Sequence, residues 1–468
     1  MSDRDFTHLQ AQLLAHFDAP DSGFEAHFND GIRRHRMGHM RLRVVDSDGA
    51  PVPNTVVTVR QTRHDFLFGC NLFQLGGYES EDQNRTYERA FLEIFNSGVV
   101  PFYWGGLEPV RGQPRYTADS PPISRRPPPD LVTDFCECHG VTPKGHCLVW
   151  HRLLPDWLPS APDEATRLSA ERIRDLAQRY GKRIRTWDVV NEPMERHQCP
   201  EVTQLSHSYM EEAYNCAAEA FPTGTRLFLN EATQYSWRAF QGQTTGLHLL
   251  EDNLRLRGCR IDGLGLQYHY FFYDENGLTT TVHDLINARD ELLNPSRLLD
   301  VLDLHANAFP SRPVHISEIT IPVYPDLPPT VAEKLQAALA RRLYRLWFSH
   351  PGVEAIYWWN LADGMAHGKE GELRAALLRE DLSPKPVYET LRHLIREEWT
   401  TRLQTRTDDE GTCEFSGFYG DYQVSLGAAH GCISTHRVGL HKDTVADYTL
   451  TLDCTTANVS GPTQLSPT

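Results

Sequence analysis

Two glutamates draw attention first, because each closes a short apolar run just before a strand breaker. Glu192 ends Trp187-Asp188-Val189-Val190-Asn191-Glu192 and precedes Pro193, whereas Glu318 ends Pro313-Val314-His315-Ile316-Ser317-Glu318, with Pro322 shortly after. The β-branched content of Ile184 to Val190 is that of a buried parallel strand, and Pro193 stops it, so Asn191 and Glu192 are expected at the strand's carboxyl end. In a barrel, that edge is where chemistry is carried out. Read alone, Asn-Glu-Pro is more readily a cap opening the next helix than a catalytic pair. A second strand-end glutamate far away in the sequence favours two carboxylates converging on one pocket.

Further motifs occur in a telling order. Gly145-His146-Cys147-Leu148-Val149-Trp150-His151 is followed by Leu154-Pro155-Asp156-Trp157. After Trp187 to Glu192 come Ile261-Asp262-Gly263-Leu264-Gly265-Leu266-Gln267 with His269, then Ile316-Ser317-Glu318, then Ser383-Pro384-Lys385-Pro386-Val387-Tyr388. Over roughly Phe66 to Leu394 the chain resembles glycoside hydrolase family 10, the retaining endo-β-1,4-xylanases. The resemblance implies a (β/α)8 barrel and an O-glycosyl hydrolase of polysaccharide-degrading type, needing no cofactor and no metal. Retention requires one protonated carboxyl to assist departure and one ionised carboxyl to attack the anomeric carbon, about 5 to 5.5 Å apart. The motif match implies Glu192 as acid/base and Glu318 as nucleophile. It also implies His269 as a donor to the nucleophile, Asn191 as a donor to the sugar 2-hydroxyl, and Gln267 as orienting the reacting ring or the nucleophile. His146 and Trp150 match positions lining the subsite of the attacked sugar. Of Trp358 and Trp359, the second is implied as the aromatic floor beneath a sugar ring, and the first as core. Glu231, ending Phe228-Leu229-Asn230-Glu231, is a third carboxylate near the site, read either as a binding or supporting group or as a helix cap.

The chain departs from the family after the second strand, where an Asn-Glu-Met-Lys-Trp segment gives way to Val99-Val100-Pro101-Phe102-Tyr103-Trp104-Gly105-Gly106-Leu107-Glu108-Pro109. Tyr103 falls where the lysine would, and Tyr103 and Trp104 are candidate substrate contacts. A second departure follows Asp363, where Gly364-Met365-Ala366-His367 replaces a later tryptophan. Both changes affect the glycone side, and lost polar contacts alter specificity more than core chemistry. The leading expectation is a retaining β-glycosidase, xylanase-like, acting on a β-linked xylose-containing or related substrate. An alternative, favoured by Phe102, Tyr103 and Trp104, is a glycosidase for aryl or natural-product glycosides. A third, of another class, is a non-catalytic carbohydrate-binding protein on a relic barrel, against which both glutamates, Asn191 and His269 remain.

The elements that must position these residues are legible as eight apolar strands starting near Phe66, Gly98, Val141, Ile184, Thr225, Ile261, Pro313 and Val353. They alternate with longer helical stretches, the pattern of a parallel barrel wrapped by helices, expected over residues 65–398. Phe6, Leu9, Leu13 and Phe17 lie at helical spacing, predicting an amphipathic packing helix over Asp5 to Phe17 within a helical segment 1–37. Residues 38–64 alternate as half of a small β unit, with a turn at Asp46-Ser47-Asp48-Gly49, and are too short to fold alone. Residues 399–468 are β-rich, with strands read at Thr407 to Phe415 and Gly420 to Leu426. The two ends resemble split halves of a prealbumin-like or carboxypeptidase-regulatory-like sandwich into which the barrel is inserted; two unrelated flanking modules are the alternative. The expected class is therefore α/β, a (β/α)8 barrel with a small β-sandwich-like accessory unit built from both terminal segments. Asp119 to Asp130, rich in proline, is expected as a stiff loop without helix on the substrate side.

Bulk properties narrow the partners. With 468 residues there is room for a large barrel plus a smaller unit. A net charge of −16 argues against a nucleic-acid partner and fits a neutral ligand such as carbohydrate. The start, Met1 to Phe6, lacks a basic region followed by an apolar one, and no run approaches a membrane span, so a cytoplasmic location without membrane attachment is expected. Ten cysteines read as free thiols in a reducing compartment, and Cys136-x-Cys138 lacks the second pair a zinc site needs. No oligomeric state is implied.

Overall fold

A computed structural model describes residues 3–18, 23–198, 204–274, 277–278, 280–308, 312–366, 368–427 and 433–453. Strands β1 (Met37–Val45) and β2 (Val56–His64) come first. A closed parallel barrel follows, made of β3 (Leu67–Asn71), β4 (Ser97–Pro101), β5 (Thr142–Trp150), β6 (Thr186–Asn191), β7 (Arg226–Glu231), β8 (Gly263–His269), β9 (Val314–Thr320) and β10 (Val353–Trp358). Each begins within two residues of the position read from sequence. Every residue of β4, β6 and β9 is buried, as expected of strands covered on both faces. Helices wrap the barrel through apolar stripes: Pro162–Tyr180 buries Ala165, Ser169, Ile173, Leu176, Ala177 and Tyr180, a spacing near 3.6.

The carboxyl ends of three strands are not regular. Register shifts fall between His146 and Val149 in β5, between Asp188 and Val190 in β6, and between Ile316 and Glu318 in β9. A bulge adds a residue to one strand and re-aims the side chains beyond it. As a result Asn191 lies opposite Asn230, and Glu318 opposite Gln267.

The N-terminal helices belong to the compact unit that contains the barrel. Arg345, on the helix Pro329–Ser349, donates to Glu25 Oε1 and Asn29 Oδ1, each at 2.6 Å. Instead of one helix over Asp5 to Phe17 there are two, Asp3–Leu13 and Ala15–Asp18, and the break allows consecutive Leu13 and Leu14 both to be buried. The proline-rich loop ends earlier than expected, since Pro129 and Asp130 already begin the helix Pro129–His139. Proline is tolerated in a first helical turn, where its missing N–H would have no partner anyway.

The second unit is a two-sheet structure drawn from both ends of the chain. It adds β11 (Arg402–Arg406), β12 (Thr412–Phe418), β13 (Gly420–Gly427), β14 (Ile433–Leu440) and β15 (Ala446–Thr451). One sheet has the order β12-β1-β15 and the other β11-β2-β13-β14, so every strand from the N-terminal segment pairs with C-terminal ones. Met40, Leu42, Val44, Val57, Val59, Tyr422, Val424 and Leu450 are among the residues filling the space between the sheets. Three of the five late strands escape a reading by hydrophobic alternation, because β11 and β14 carry largely polar or exposed side chains and β15 buries only Ala446 and Leu450. The seven described cysteines are all free. Among the described residues no helix is long and apolar enough to cross a membrane.

Candidate active site

Glu192 follows β6 with φ at 49°, a left-handed conformation uncommon for a residue with a side chain. Two contacts hold it there: its own N–H donates to the Asn230 carbonyl at 2.9 Å, and the N–H of Met194 donates to Glu231 Oε2 at 3.0 Å. Gln267 Nε2 then lies 2.8 Å from Glu192 Oε1 and 3.1 Å from Glu318 Oε1. One nitrogen thus touches both carboxyl groups, and their nearest oxygens cannot be farther apart than the sum of those two lengths. Glu318 Oε1 also accepts from Asn230 Nδ2 at 2.8 Å, and its Oε2 lies 3.3 Å from His269 Nε2. His269 Nδ1 is 2.8 Å from the Thr320 hydroxyl, so a neutral ring can donate from Nε2 to Glu318 while accepting from Thr320.

These contacts settle the amide orientations. The Glu318 carboxylate only accepts, so Asn230 must present its NH2 to it, and the same group reaches Asn191 Oδ1 at 2.7 Å. Asn191 Oδ1 is thereby fixed as an acceptor, which leaves the Asn191 NH2 to donate to a ligand. The approach is close enough that a Cβ on Gly265 would sit 2.1 Å from Asn230 Oδ1.

The two glutamates have unlike surroundings. Loss of solvent, then the nearby charges of Glu195 and Glu318, push the Glu192 carboxyl well above the usual range, against a smaller opposing effect of the Gln267 hydrogen bond. Glu318 is instead ringed by donors. Such a pair, one carboxyl whose protonated form is favoured by burial and the other surrounded by hydrogen-bond donors, can divide proton donation from nucleophilic attack.

His146 is positioned from below. Its Nδ1 lies 2.8 Å from Asp188 Oδ2, Lys144 Nζ lies 2.9 Å from Asp188 Oδ1, and all three side chains are buried. Burial raises the Asp188 carboxyl, but Lys144 and His146 outweigh it and bring it below the ordinary range. His146 Nε2 has no protein hydrogen bond and stands 3.9 Å from Glu318 Oε1. Around it, Tyr103 packs against His146 and Trp150 with ring centroids at 5.3 and 5.4 Å, while Trp359 packs against His146 and Phe73 at 5.5 and 5.2 Å. Trp358 points the other way, donating its indole N–H to the Ala375 carbonyl at 3.1 Å. The alternation of a strand separates the two tryptophans.

Trp104, expected to contact substrate, is engaged elsewhere, and Glu231 takes the supporting role, one of its readings, and not the binding one. Trp104 packs edge-on against Trp157 and donates to Glu108 Oε2 at 3.0 Å, with the Arg172 guanidinium over its ring. Glu231 is fully buried, and its oxygens accept the backbone N–H groups of Ala232 and Met194; it holds the turn carrying Glu192, and burial raises its carboxyl to about 8. Phe102 likewise turns into the core against Trp187 and Tyr180. Only Tyr103 of the run Phe102-Tyr103-Trp104 joins the site. His367 lies outside the described residues.

Sequence reasoning passed over Asn230, Thr320, Phe73, Glu195, and the pair Lys144 and Asp188. Asn230 carried a signal, as a polar residue directly after the apolar run Leu227-Phe228-Leu229, and Thr320 a weaker one, two residues beyond Glu318 at the end of β9. Glu195 carried none; Arg152 at 3.2 Å and Gln234 hold it beside Glu192 only through tertiary contacts. Elsewhere, His248, Glu251 and His305 bring ligand-type atoms within 4.8 Å of one another. Glu251 Oε1 there already pairs with both Arg255 and Arg312, and two guanidinium charges oppose a cation.

A closed parallel barrel with two glutamates, three amides and two histidines gathered at its carboxyl end defines the class of carbohydrate-active barrels. Residues 127–394 match the model of Glycosyl hydrolase family 10. The chain is 26% identical over 403 residues to the anti-sigma-I factor RsgI6 of Acetivibrio thermocellus, covering 85% of this chain and 46% of that protein. It is 24% identical over 364 residues to endo-1,4-beta-xylanase B of Thermotoga neapolitana, covering 75% of this chain and 94% of that enzyme. Among solved structures, xylanase B from Clostridium stercorarium F9 superposes with a TM-score of 0.53 at 21% identity, covering 70% of this chain and 96% of that one, a likeness of fold. The chain belongs to glycoside hydrolase family 10, and it spans less than half the length of the anti-sigma-factor relative.

Proposed function

We propose that the protein is a retaining β-glycoside hydrolase, xylanase-like, acting on a β-linked xylose-containing or related oligosaccharide. The observation that carries this reading is the Gln267 nitrogen shared by Glu192 and Glu318. Because the nearest carboxyl oxygens can be no farther apart than the sum of 2.8 and 3.1 Å, it supports the closer spacing of retaining enzymes, about 5 to 5.5 Å, over the 6.5 to 9.5 Å that leaves room for a water between them and the sugar. Glu318 attacks the anomeric carbon as Glu192 gives its proton to the departing oxygen. Glu192 then takes a proton from the water that releases the sugar from Glu318. Asn191 donates to the 2-hydroxyl, His269 and Asn230 hold Glu318, and Trp359 with Tyr103 walls the ring.

The test is nitrophenol release from aryl β-xyloside, β-glucoside and β-arabinoside, alongside xylo-oligosaccharides, by wild type, Glu318→Ala and Glu192→Ala. Activity abolished in Glu318→Ala, and partly restored by azide in Glu192→Ala with a β-glycosyl azide as product, is the expected result. Azide rescue of the wrong variant, or an inverted product, would refute double displacement by this pair.

A further inference from the structure

Beside the catalytic residues lies a cavity of about 520 Å³, walled by the loops that follow β4, β5 and β10 and therefore open at the same end of the barrel. Gly105, Gly106 and Ile123 to Arg126 come from the first loop, Leu153 to Asp156 from the second, and Gly364 to Ala366 from the third. Gly105, Gly106 and Gly364 to Ala366 belong to the two segments in which the sequence departs from the family's polar glycone contacts, whereas Leu154 to Asp156 belong to a motif that matches the family. Tyr103 links the cavity wall to the carboxyl pair, with Arg126 over its ring and His146, 3.9 Å from Glu318, packed against it. Its ring packs on His146 and Trp150, and the Arg126 guanidinium lies 4.2 Å from its centroid.

Two arginines dominate the cavity wall. Arg125 is buried, takes up φ 60°, and donates from Nη1 to Asn360 Oδ1 at 2.6 Å and to the Met365 carbonyl at 2.7 Å, while its Nε is buried without a partner. Arg126 donates from Nη1 to the Arg125 carbonyl at 2.8 Å. Its stem lies on Gly106, where a Cβ would come within 2.8 Å of the Arg126 Cγ, so the absence of a side chain at 106 is what lets it fold over Tyr103. Among the described residues neither guanidinium forms an ion pair with a carboxylate. Asp156, at the rim, is exposed to solvent, and Glu370 acts on Arg125 only through its field. Tyr103 supplies no counter-charge, because burial and then Glu318 push its phenol well above the ordinary range.

Guanidinium charge withdrawn from water without an anion is unfavourable, and the planar fork of arginine fits a carboxylate in a two-bond arrangement that lysine cannot copy. The volume falls in the range of sites that enclose a small ligand. We propose that this cavity is a subsite for a uronic acid unit on the glycone side of the cleaved bond. Arg126 binds its carboxylate, and Arg125, pinned by Asn360 and Met365, adds fixed positive charge. The reading that the protein handles saccharides underlies this assignment, but the subsite is defined by binding and not by turnover.

Binding is therefore measured by calorimetry on the full chain carrying Glu318→Gln, alone and combined with Arg126→Gln or Arg126→Lys, with thermal melting to confirm that each variant is folded. The ligands are a xylo-oligosaccharide bearing one glucuronic acid on its non-reducing xylose, the methyl ester of that compound, and the unsubstituted oligosaccharide. Hydrogen bonds to a charged partner lead us to expect the acid to bind about 10-fold or more tightly than the ester. Arg126→Gln should erase that preference while leaving the ester's affinity within about threefold, and Arg126→Lys should retain part of it. Equal affinity for acid and ester, no binding of the acid, or an equal loss for both ligands in Arg126→Gln would overturn the subsite. Hydrolysis of neutral substrates without an acid preference would overturn this inference and leave the proposed function standing; an acid preference without hydrolysis of any glycoside would do the reverse.

Discussion

Asn230 is the residue whose removal most sharply tests how the site is assembled. It is fully buried, and its single NH2 group serves both Glu318 Oε1 at 2.8 Å and Asn191 Oδ1 at 2.7 Å. Replacement by alanine removes one hydrogen bond to a charged group, worth about 1.5 to 3 kcal/mol, and one between neutral amides, worth about 0.5 to 1.5 kcal/mol. The first acts on the attacking oxygen and the second on the orientation of Asn191. If the first is expressed in the transition state, kcat/KM for an aryl β-xyloside should fall about 10- to 150-fold. Thermal melting should show a folded but less stable protein, since the lost amide leaves a small void beside Gly265. Asn230→Asp is the sharper variant. It keeps the shape but sets a second carboxylate against Glu318, so activity at neutral pH should drop further than in Asn230→Ala. A folded Asn230→Ala that kept more than half of the wild-type kcat/KM would refute the claim that this amide positions the pair, and Asn230→Asp matching wild type would refute the charge argument.

Two further outcomes follow from the buried charges. Lys144→Met should unfold well below wild type in a thermal melt, because it strands Asp188 in the core; breaking a buried pair costs about 3 to 5 kcal/mol. An unchanged midpoint would mean that Asp188 is neutralised by His146 alone. Glu231, with its carboxyl raised to about 8, binds its proton more tightly in the folded than in the unfolded chain. Its contribution to stability is therefore complete below about pH 4.5 and is lost as the pH rises through about 8. Chemical denaturation from pH 5 to 8.5 should show stability falling with pH, and the slope should flatten in Glu231→Gln; equal slopes would contradict this account.

The two catalytic candidates were legible in the sequence because a parallel strand buried on both faces is written as an apolar run, and a carboxylate at its end has few structural reasons to be there. For the same reason the eight barrel strands could be placed to within two residues. The terminal β unit was only partly legible: β1, β2, β12 and β13 show alternation or turns, whereas β11, β14 and β15 present too few apolar positions to be told from loop. Aromatic type alone misled at Phe102 and Trp104, because an aromatic residue after a strand packs inward or outward according to neighbours distant in the sequence.

What the sequence determined by itself was local and periodic: the family motifs, the strand ends, the helical stripes and the stiff proline loop. The tertiary structure decided what depends on register and on unpaired charge. Bulges in β6 and β9 bring Asn191 against Asn230 and Glu318 against Gln267, and no period in the chain announces a one-residue shift. The left-handed turn at Glu192 is held by Asn230 and Glu231, and Arg126 reaches Tyr103 only because Gly106 lies beneath it. Such contacts join residues far apart in the chain, and their energy exists only once the barrel has closed around them.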